Sequence, residues 1–404
     1  MTGASDTMPG ALEGLFVLDL SRILAGPTCT QLLGDLGATV IKVENPKTGG
    51  DDTRSWGPNY ASTPDGIPTD LSAYFMSSNR NKRSIAADLS TFEGQAIVRK
   101  LAARADVVIE NYKPGGLEKY GLDHATLLKA HPSLVYCSIS GFGQTGPNRD
   151  LPGYDLMAQG YAGIMSITGA PAGTPMKVGV GVADVMCGMY ATVGILAALR
   201  HRDATGQGQH IDLSLVDASM AWLINEGCNY LTSGQVPERR GNAHPNIVPY
   251  DAFACADGHI LVAIGNDAQF ARFCDAFGAS ELGHDPAYAT NLKRIENRVA
   301  LTAALTALLQ DVSKDEALSR MKAVKVPGGP IHNIAEALTS DQAQARGAVV
   351  EMHTEDVAGG YVQVLGNPLK FSATPVQYRH PPPRFGADTK DVLAILDLPE
   401  SDAK

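Results

Sequence analysis

The sequence has no basic excess: 33 lysines and arginines stand against 43 aspartates and glutamates, for a net charge of −10. A surface that grips nucleic-acid phosphates needs the opposite balance, so general nucleic-acid binding is excluded. A local basic pocket for a small polyanion is not. No Cys-x-x-Cys pair occurs among Cys29, Cys137, Cys187, Cys228, Cys255 and Cys274, and the ten histidines show no His-x-x-x-His spacing. These absences argue against a zinc site or a disulfide framework and for reduced thiols in a cytoplasmic compartment, and no metal is expected. Residues 1–10 lack a basic segment followed by an apolar one and read as a flexible tail. No run is expected to reach the roughly 20 apolar residues of a membrane span.

What remains is an ordinary globular composition, 44% hydrophobic and 19% charged, in a chain of 404 residues long enough for two lobes. One stretch stands out. Val178 to Gly181 runs apolar and Gly-rich into a single carboxylate, Asp184, and the chain then continues to Leu199 with helical periodicity through Val185, Met189, Val193, Ile195 and Leu196. Asp184 therefore sits at an expected helix N-cap. It is either a cap and nothing more, or a carboxylate kept ionised by the positive helix end and aimed into a cleft as a nucleophile.

In chain order, Leu15–Leu20 reads as a buried strand, Pro27 opens a helix that Gly37 closes, and Ala38–Val43 is a second strand ending at Glu44. A β-α-β unit implies a parallel sheet with ligands beyond its carboxyl ends. The turn Ser21-Arg-Ile-Leu-Ala-Gly-Pro27 has one glycine where a dinucleotide fingerprint needs three, so NAD binding is not expected. Asn79-Arg-Asn-Lys-Arg-Ser84 is either a solvated charge run or a phosphate cradle. Further strands follow at 84–89, 105–110, 134–139 and 208–215, with Ser90 capping a helix from Thr91 and another helix over Val216–Leu231. Breaker-rich Thr232–Pro245 reads as part of a linker, and Tyr250–Ile264 as a hairpin around Asp257-Gly258. The expected organisation is a tail (1–11), a Rossmann-like α/β large domain (12–218), a linker (219–241), a small α+β domain (242–340), a second linker (341–373) and a C-terminal return (374–404).

Several of these stretches, taken in order, resemble the family III CoA-transferases of the CaiB/BaiF type. They are Leu18–Pro27, Leu36–Glu44, Asn81–Ile85, Glu110–Gly115, Gly141–Pro147 and Thr205–Gln209. Gly153–Gln159, Pro245–Tyr250 and Gly265–Phe270 look most like succinyl-CoA-dependent transferases acting on small dicarboxylates, such as succinate–hydroxymethylglutarate CoA-transferase. The resemblance implies an interlocked homodimer, acyl-CoA and a small carboxylic acid as substrates, no permanently bound cofactor, and Asp184 as nucleophile. It also implies a glycine loop over the nucleophile at Gly265, Asn266 and Gln269. CoA contacts would fall at Arg22, Ile23, Leu24, Ala25, Asn45, Arg80, Lys82, Asn111, Tyr112 and Lys119. Formyl-CoA transferase has glutamine at the place of Leu24 and histidine at that of Arg22, and the loss of that glutamine argues against formate or oxalate here. Arg22 is then either a fork for a second substrate carboxylate or a CoA phosphate contact or surface ion pair.

Two other readings carry different expectations. The α-methylacyl-CoA racemases of the same fold need two poised proton carriers, and their histidine is Tyr154 here, before Asp155. A CoA-binding protein without turnover would use Asp184 only as a cap.

Overall fold

The computed structural model describes residues 9–396, so most of the expected tail and the last eight residues lie outside the described residues. The chain divides into two compact units. The larger comprises 9–164, 177–223 and 341–396 of the described residues, and the smaller 165–176 and 224–340.

The larger unit is built on six parallel strands: β1 (Phe16–Asp19), β2 (Thr39–Glu44), β3 (Arg83–Ala86), β4 (Val107–Glu110), β5 (Val135–Ser140) and β6 (His210–Ser214). Their order is β3-β2-β1-β4-β5-β6. β1 pairs through Val17 with Val40 of β2 on one side and Val107 of β4 on the other. Alternation divides the apolar side chains between two faces. Val17, Val107, Ile109, Val135 and Cys137 face one core with the helices Ala25–Asp35 and Val182–Thr205. Leu18, Ile41, Ile85, Val108 and Tyr136 face the other, where Val392 and Leu396 of the helix Thr389–Leu396 return to the sheet as expected.

The long helix Val182–Thr205 departs from the expected stripe. Met189 and Val193 are exposed, and the buried face is Ala183, Cys187, Ala191 and Ile195. Small residues let the helix lie close against Ala25–Asp35: a Cβ on Gly188 would stand 2.6 Å from the Ala25 carbonyl oxygen. At 24 residues this helix matches a membrane span by length and composition, contrary to the expectation that no run would, but half of its apolar window is buried against the protein's own core.

Other boundaries moved for local reasons. Thr91, not Ser90, caps the helix Phe92–Ala102, its hydroxyl accepting the Gly94 N–H. The first helix begins at Ala25, and Pro27 lies inside its first turn. Residues 216–231 form two helices, Leu215–Ala221 and Ile224–Ser233, separated where Ile224 takes φ 34°. Much of the expected first linker is thus helical. The expected second linker holds an antiparallel hairpin, Val349–His353 with Tyr361–Leu365, in the larger unit.

The smaller unit has a three-stranded antiparallel sheet in which Gly258–Ala263 lies between Tyr250–Cys255 and Gly328–Pro330. Its core gathers Phe253, Ile260, Val262, Phe270, Phe273, Leu301 and Met321. Arg294 is fully buried there, donating to the Val248 and Tyr288 carbonyls and to Asp267.

Candidate active site

The strand order reverses direction between β1 and β4, and the crevice beyond the carboxyl ends of these strands is where doubly wound sheets take ligands. A cavity of about 130 Å³ lies there. Its walls are Arg22–Ala25 after β1, Asn111–Pro114 after β4, Ile139–Gly141 at the end of β5, Leu151–Tyr154, Leu215 and Asp184. Glycine makes one wall possible. A Cβ on Gly141 would lie 2.4 Å from the Gly153 Cα, so these two segments cross only because neither has a side chain.

Asp184 is not the N-cap. That position belongs to Gly181, and Asp184 is the third residue of the helix, half-buried in its first turn. Burial, and then the charge of Asp155, push its carboxyl up from 3.8 to about 7. The expectation that the helix end holds it comfortably ionised is therefore reversed: desolvation exceeds the few tenths to one kcal/mol that a helix terminus supplies. One reason is visible. The Ala183 N–H, one of the free donors at this helix end, is taken by Asp155 Oδ1 at 2.9 Å. Asp155 Oδ2 accepts from the Gln159 amide, whose own oxygen accepts the Val178 N–H. Asp155 and Gln159 together pin the segment 178–183 that leads into Asp184.

The expected ligand-binding residues fall into four groups. Arg22, Ile23, Leu24, Ala25, Asn111 and Tyr112 line the Asp184 cavity. Arg22 forms an exposed 2.7 Å ion pair with Asp52, and its backbone N–H and C=O are bracketed by the Asn111 amide. Asn45 lines an adjoining cavity of about 230 Å³ that shares Arg22 and Tyr112. Lys119 is exposed beside the Tyr120 ring. Arg80 and Lys82 are buried. Arg80 makes two bonds to the Asp35 carboxylate and one to the Leu365 carbonyl, while Lys82 meets Asp19, the Pro27 carbonyl and Asn79. Burial lowers the Lys82 ammonium to about 8, against the pull of Asp19. The run Asn79–Ser84 is thus an internal ionic cluster rather than a solvated turn, and its cations already have carboxylate partners.

Gly265, Asn266 and Gln269 belong to the smaller unit. Asn266 caps the helix Asp267–Ala276 by accepting the Gln269 N–H, and the Gln269 side chain accepts the Gly265 N–H at 2.8 Å. In this conformation the loop makes an internally satisfied helix start.

Sequence reasoning passed over Lys42, Glu110 and Lys113. Lys42 and Asp19 are charges inside apolar strands, a signal in itself, because such a charge must find a buried partner. Glu110 ends β4 with its carboxyl raised to about 7, by burial and against bonds from Ser138 and the Tyr112 N–H. It lines a third cavity, about 350 Å³, which shares Lys113 and Pro114 with the Asp184 cavity. Glu44, at the position where a dinucleotide site needs a ribose acceptor, is buried and occupied by Arg54, Ser84 and the Asp51 N–H. Among the described residues no group of three or more His, Cys, Asp or Glu could hold a metal ion.

The crevice thus lies at the switch point of a doubly wound sheet, walled by backbone turns around one raised carboxylate. Residues 12–389 match CoA-transferase family III, and the chain belongs to that family. It is 48% identical to a succinate–glutarate CoA-transferase of Agrobacterium fabrum over 97% of each chain. It is 40% identical to the succinyl-CoA:glutarate CoA-transferase of Homo sapiens, over 95% of this chain and 85% of the human one. The crystal structure of a CaiB/BaiF family protein from Brucella suis matches with a TM-score of 0.84 and 45% identity, covering 96% of this chain and 100% of that one.

Proposed function

We propose that this CoA-transferase moves CoA from succinyl-CoA to a small dicarboxylic acid through covalent intermediates on Asp184. The observation that carries the reading is the Asp184 carboxylate itself. It lines the crevice cavity, and its ionisation is governed by burial and Asp155 without a compensating cation. A carboxylate with a pKa near 7 is about half ionised at neutral pH and more basic than an ordinary aspartate, which favours attack on a thioester carbonyl.

The ionised oxygen adds to the thioester carbonyl, and the tetrahedral adduct expels CoA thiolate to leave an acyl-aspartyl anhydride. The thiolate attacks the aspartyl carbonyl of that anhydride, forming an aspartyl-CoA thioester and releasing the donor acid as its carboxylate. The acceptor carboxylate attacks this thioester, giving a second mixed anhydride and thiolate. Thiolate attack on the acceptor's acyl carbon then yields the new acyl-CoA and regenerates the Asp184 carboxylate. Each attacking group is an anion, so no general base is required.

The donor and acceptor classes rest on the relatives named for succinate, glutarate and succinyl-CoA. The racemase reading is weaker, because Tyr154 stands where a histidine proton carrier is required and Asp155 has both oxygens engaged. A homodimer is proposed as well: Met189, Tyr190 and Val193 of the long helix are exposed apolar side chains. Light scattering at micromolar concentration should give twice the 42.6 kDa chain mass, and a monodisperse monomer contradicts it. The activity is tested by a donor-by-acceptor matrix with acyl-CoA products read by mass spectrometry. Succinyl-CoA with glutarate should give glutaryl-CoA and free succinate. No product from any dicarboxylate refutes the substrate assignment.

A further inference from the structure

We propose that the buried Asp51–Lys42 ion pair is a positioning device for the Asp184 cavity: it holds Ile23 in the left-handed backbone region and so fixes the turn Ser21–Ala25 as a wall of that cavity. The inference rests on the CoA-transfer reading for its activity measurements.

Ile23 has φ 72°. A β-branched side chain is strongly disfavoured there, because its Cβ crowds the following carbonyl, so something must hold it. Its N–H points at both carboxylate oxygens of Asp51, at 3.2 and 3.1 Å. Asp51 is in turn anchored, its carboxylate 2.8 Å from Lys42 Nζ and also accepting from the Thr53 N–H and hydroxyl. Lys42 spends a second donor on the Ser21 carbonyl at 2.8 Å. Both side chains are buried, 1% and 0% exposed. Burial opposes both charges. For Lys42 the nearby carboxylates outweigh it, led by Asp51, and its pKa is raised. For Asp51 the Lys42 ammonium and the Thr53 donors outweigh it, and its pKa is lowered.

The turn matters because of what it touches. Arg22 to Ala25 line the cavity, and Leu24 reaches the start of the Asp184 helix: a Cβ on Gly181 would lie 3.0 Å from Leu24 Cδ2. Relaxing Ile23 to a negative φ would redirect the chain at Leu24 and displace a wall built against residues just before Asp184. The strain is confined to one residue of the cavity wall, and its restraint comes from a pair that does not depend on substrate.

The test uses the intact enzyme. Asp51→Ala combined with Lys42→Met removes the acceptor without leaving an unpaired buried charge. It should lower kcat/KM for the acyl-CoA by about tenfold or more, mainly through KM. Asp51→Asn with Lys42→Met, which keeps an acceptor oxygen, should fall between that double variant and the unaltered enzyme. On the Asp51→Ala/Lys42→Met background, Ile23→Gly should exceed Ile23→Ala in kcat/KM by about threefold or more, because glycine adopts positive φ freely and alanine does not. The same two substitutions alone should differ less, since Asp51 then supplies the restraint. A Gly-to-Ala ratio unchanged between backgrounds, or full kcat/KM in the Asp51→Ala/Lys42→Met variant, overturns the proposal. Amide exchange tests it without turnover. The Ile23 N–H should exchange at least about tenfold faster without the pair, and an unchanged rate overturns the proposal even if the protein transfers no CoA. Absence of transferase activity in the unaltered enzyme would instead sink the functional reading alone.

Discussion

Replacing Asp184 by asparagine should stabilise the folded chain, increasingly so as pH rises. The folded carboxyl titrates near 7 against 3.8 for an ordinary aspartate, because burial and then Asp155 oppose its charge. A pKa raised by folding favours the fold when the group is protonated. Its contribution is fully present below about 3.8 and is lost as pH climbs through about 7. Above that the wild-type chain carries a half-buried anion that the unfolded chain would solvate freely. The displacement corresponds to about 4 kcal/mol at full effect, and solvent access to the side chain reduces this to about 2–4 kcal/mol at pH 8.5 and roughly half that at pH 5. Asparagine carries no charge and escapes this penalty. Chemical denaturation of wild type and Asp184→Asn at both pH values reads the difference, and the gap must widen toward high pH. Equal stabilities from pH 5 to 8.5 would mean that the carboxyl titrates normally and that burial does not tune it.

Three further outcomes follow from the same geometry. If Asp184 attacks as the anion, kcat/KM for succinyl-CoA should fall about tenfold per pH unit below an apparent pKa near 7. Asp155→Asn, which keeps an oxygen for the Ala183 N–H but removes a charge, should move that limb to lower pH; an unmoved limb refutes the coupling. Arg80→Met should cost about 3–5 kcal/mol in denaturation experiments, because it strips the buried Asp35 of its bidentate partner. A loss of CoA affinity with unchanged stability would instead restore Arg80 as a ligand-facing cation.

The parallel sheet was legible because each strand is a short apolar run bounded by breakers, and the cavity walls after β1 and β4 could be placed from that alone. Asp184 was legible as one acid amid apolar residues. Its N3 rather than N-cap place was not, because Gly181, which begins the helix, makes no side-chain bond that a sequence pattern could announce. Its raised pKa was hidden too, since that depends first on burial and then on Asp155, which arrives from 29 residues earlier, across the Gly141–Gly153 crossing. The cationic run Asn79–Ser84 misled in the opposite direction. Charge in a turn ordinarily means solvent, and only the carboxylates of Asp19 and Asp35, from a distant strand and helix, turn it inward. Long-range pairing of this kind leaves no local signature.

The central claim is that CoA becomes covalently attached to Asp184. The most direct measurement is intact-protein and peptide mass spectrometry of enzyme mixed with succinyl-CoA without an acceptor acid, with and without hydroxylamine. A CoA adduct on the Asp184 peptide that hydroxylamine converts to the aspartyl hydroxamate, absent from Asp184→Ala together with turnover, is the predicted result. An Asp184→Ala enzyme that still transfers CoA, or an adduct mapping to another residue, would contradict it.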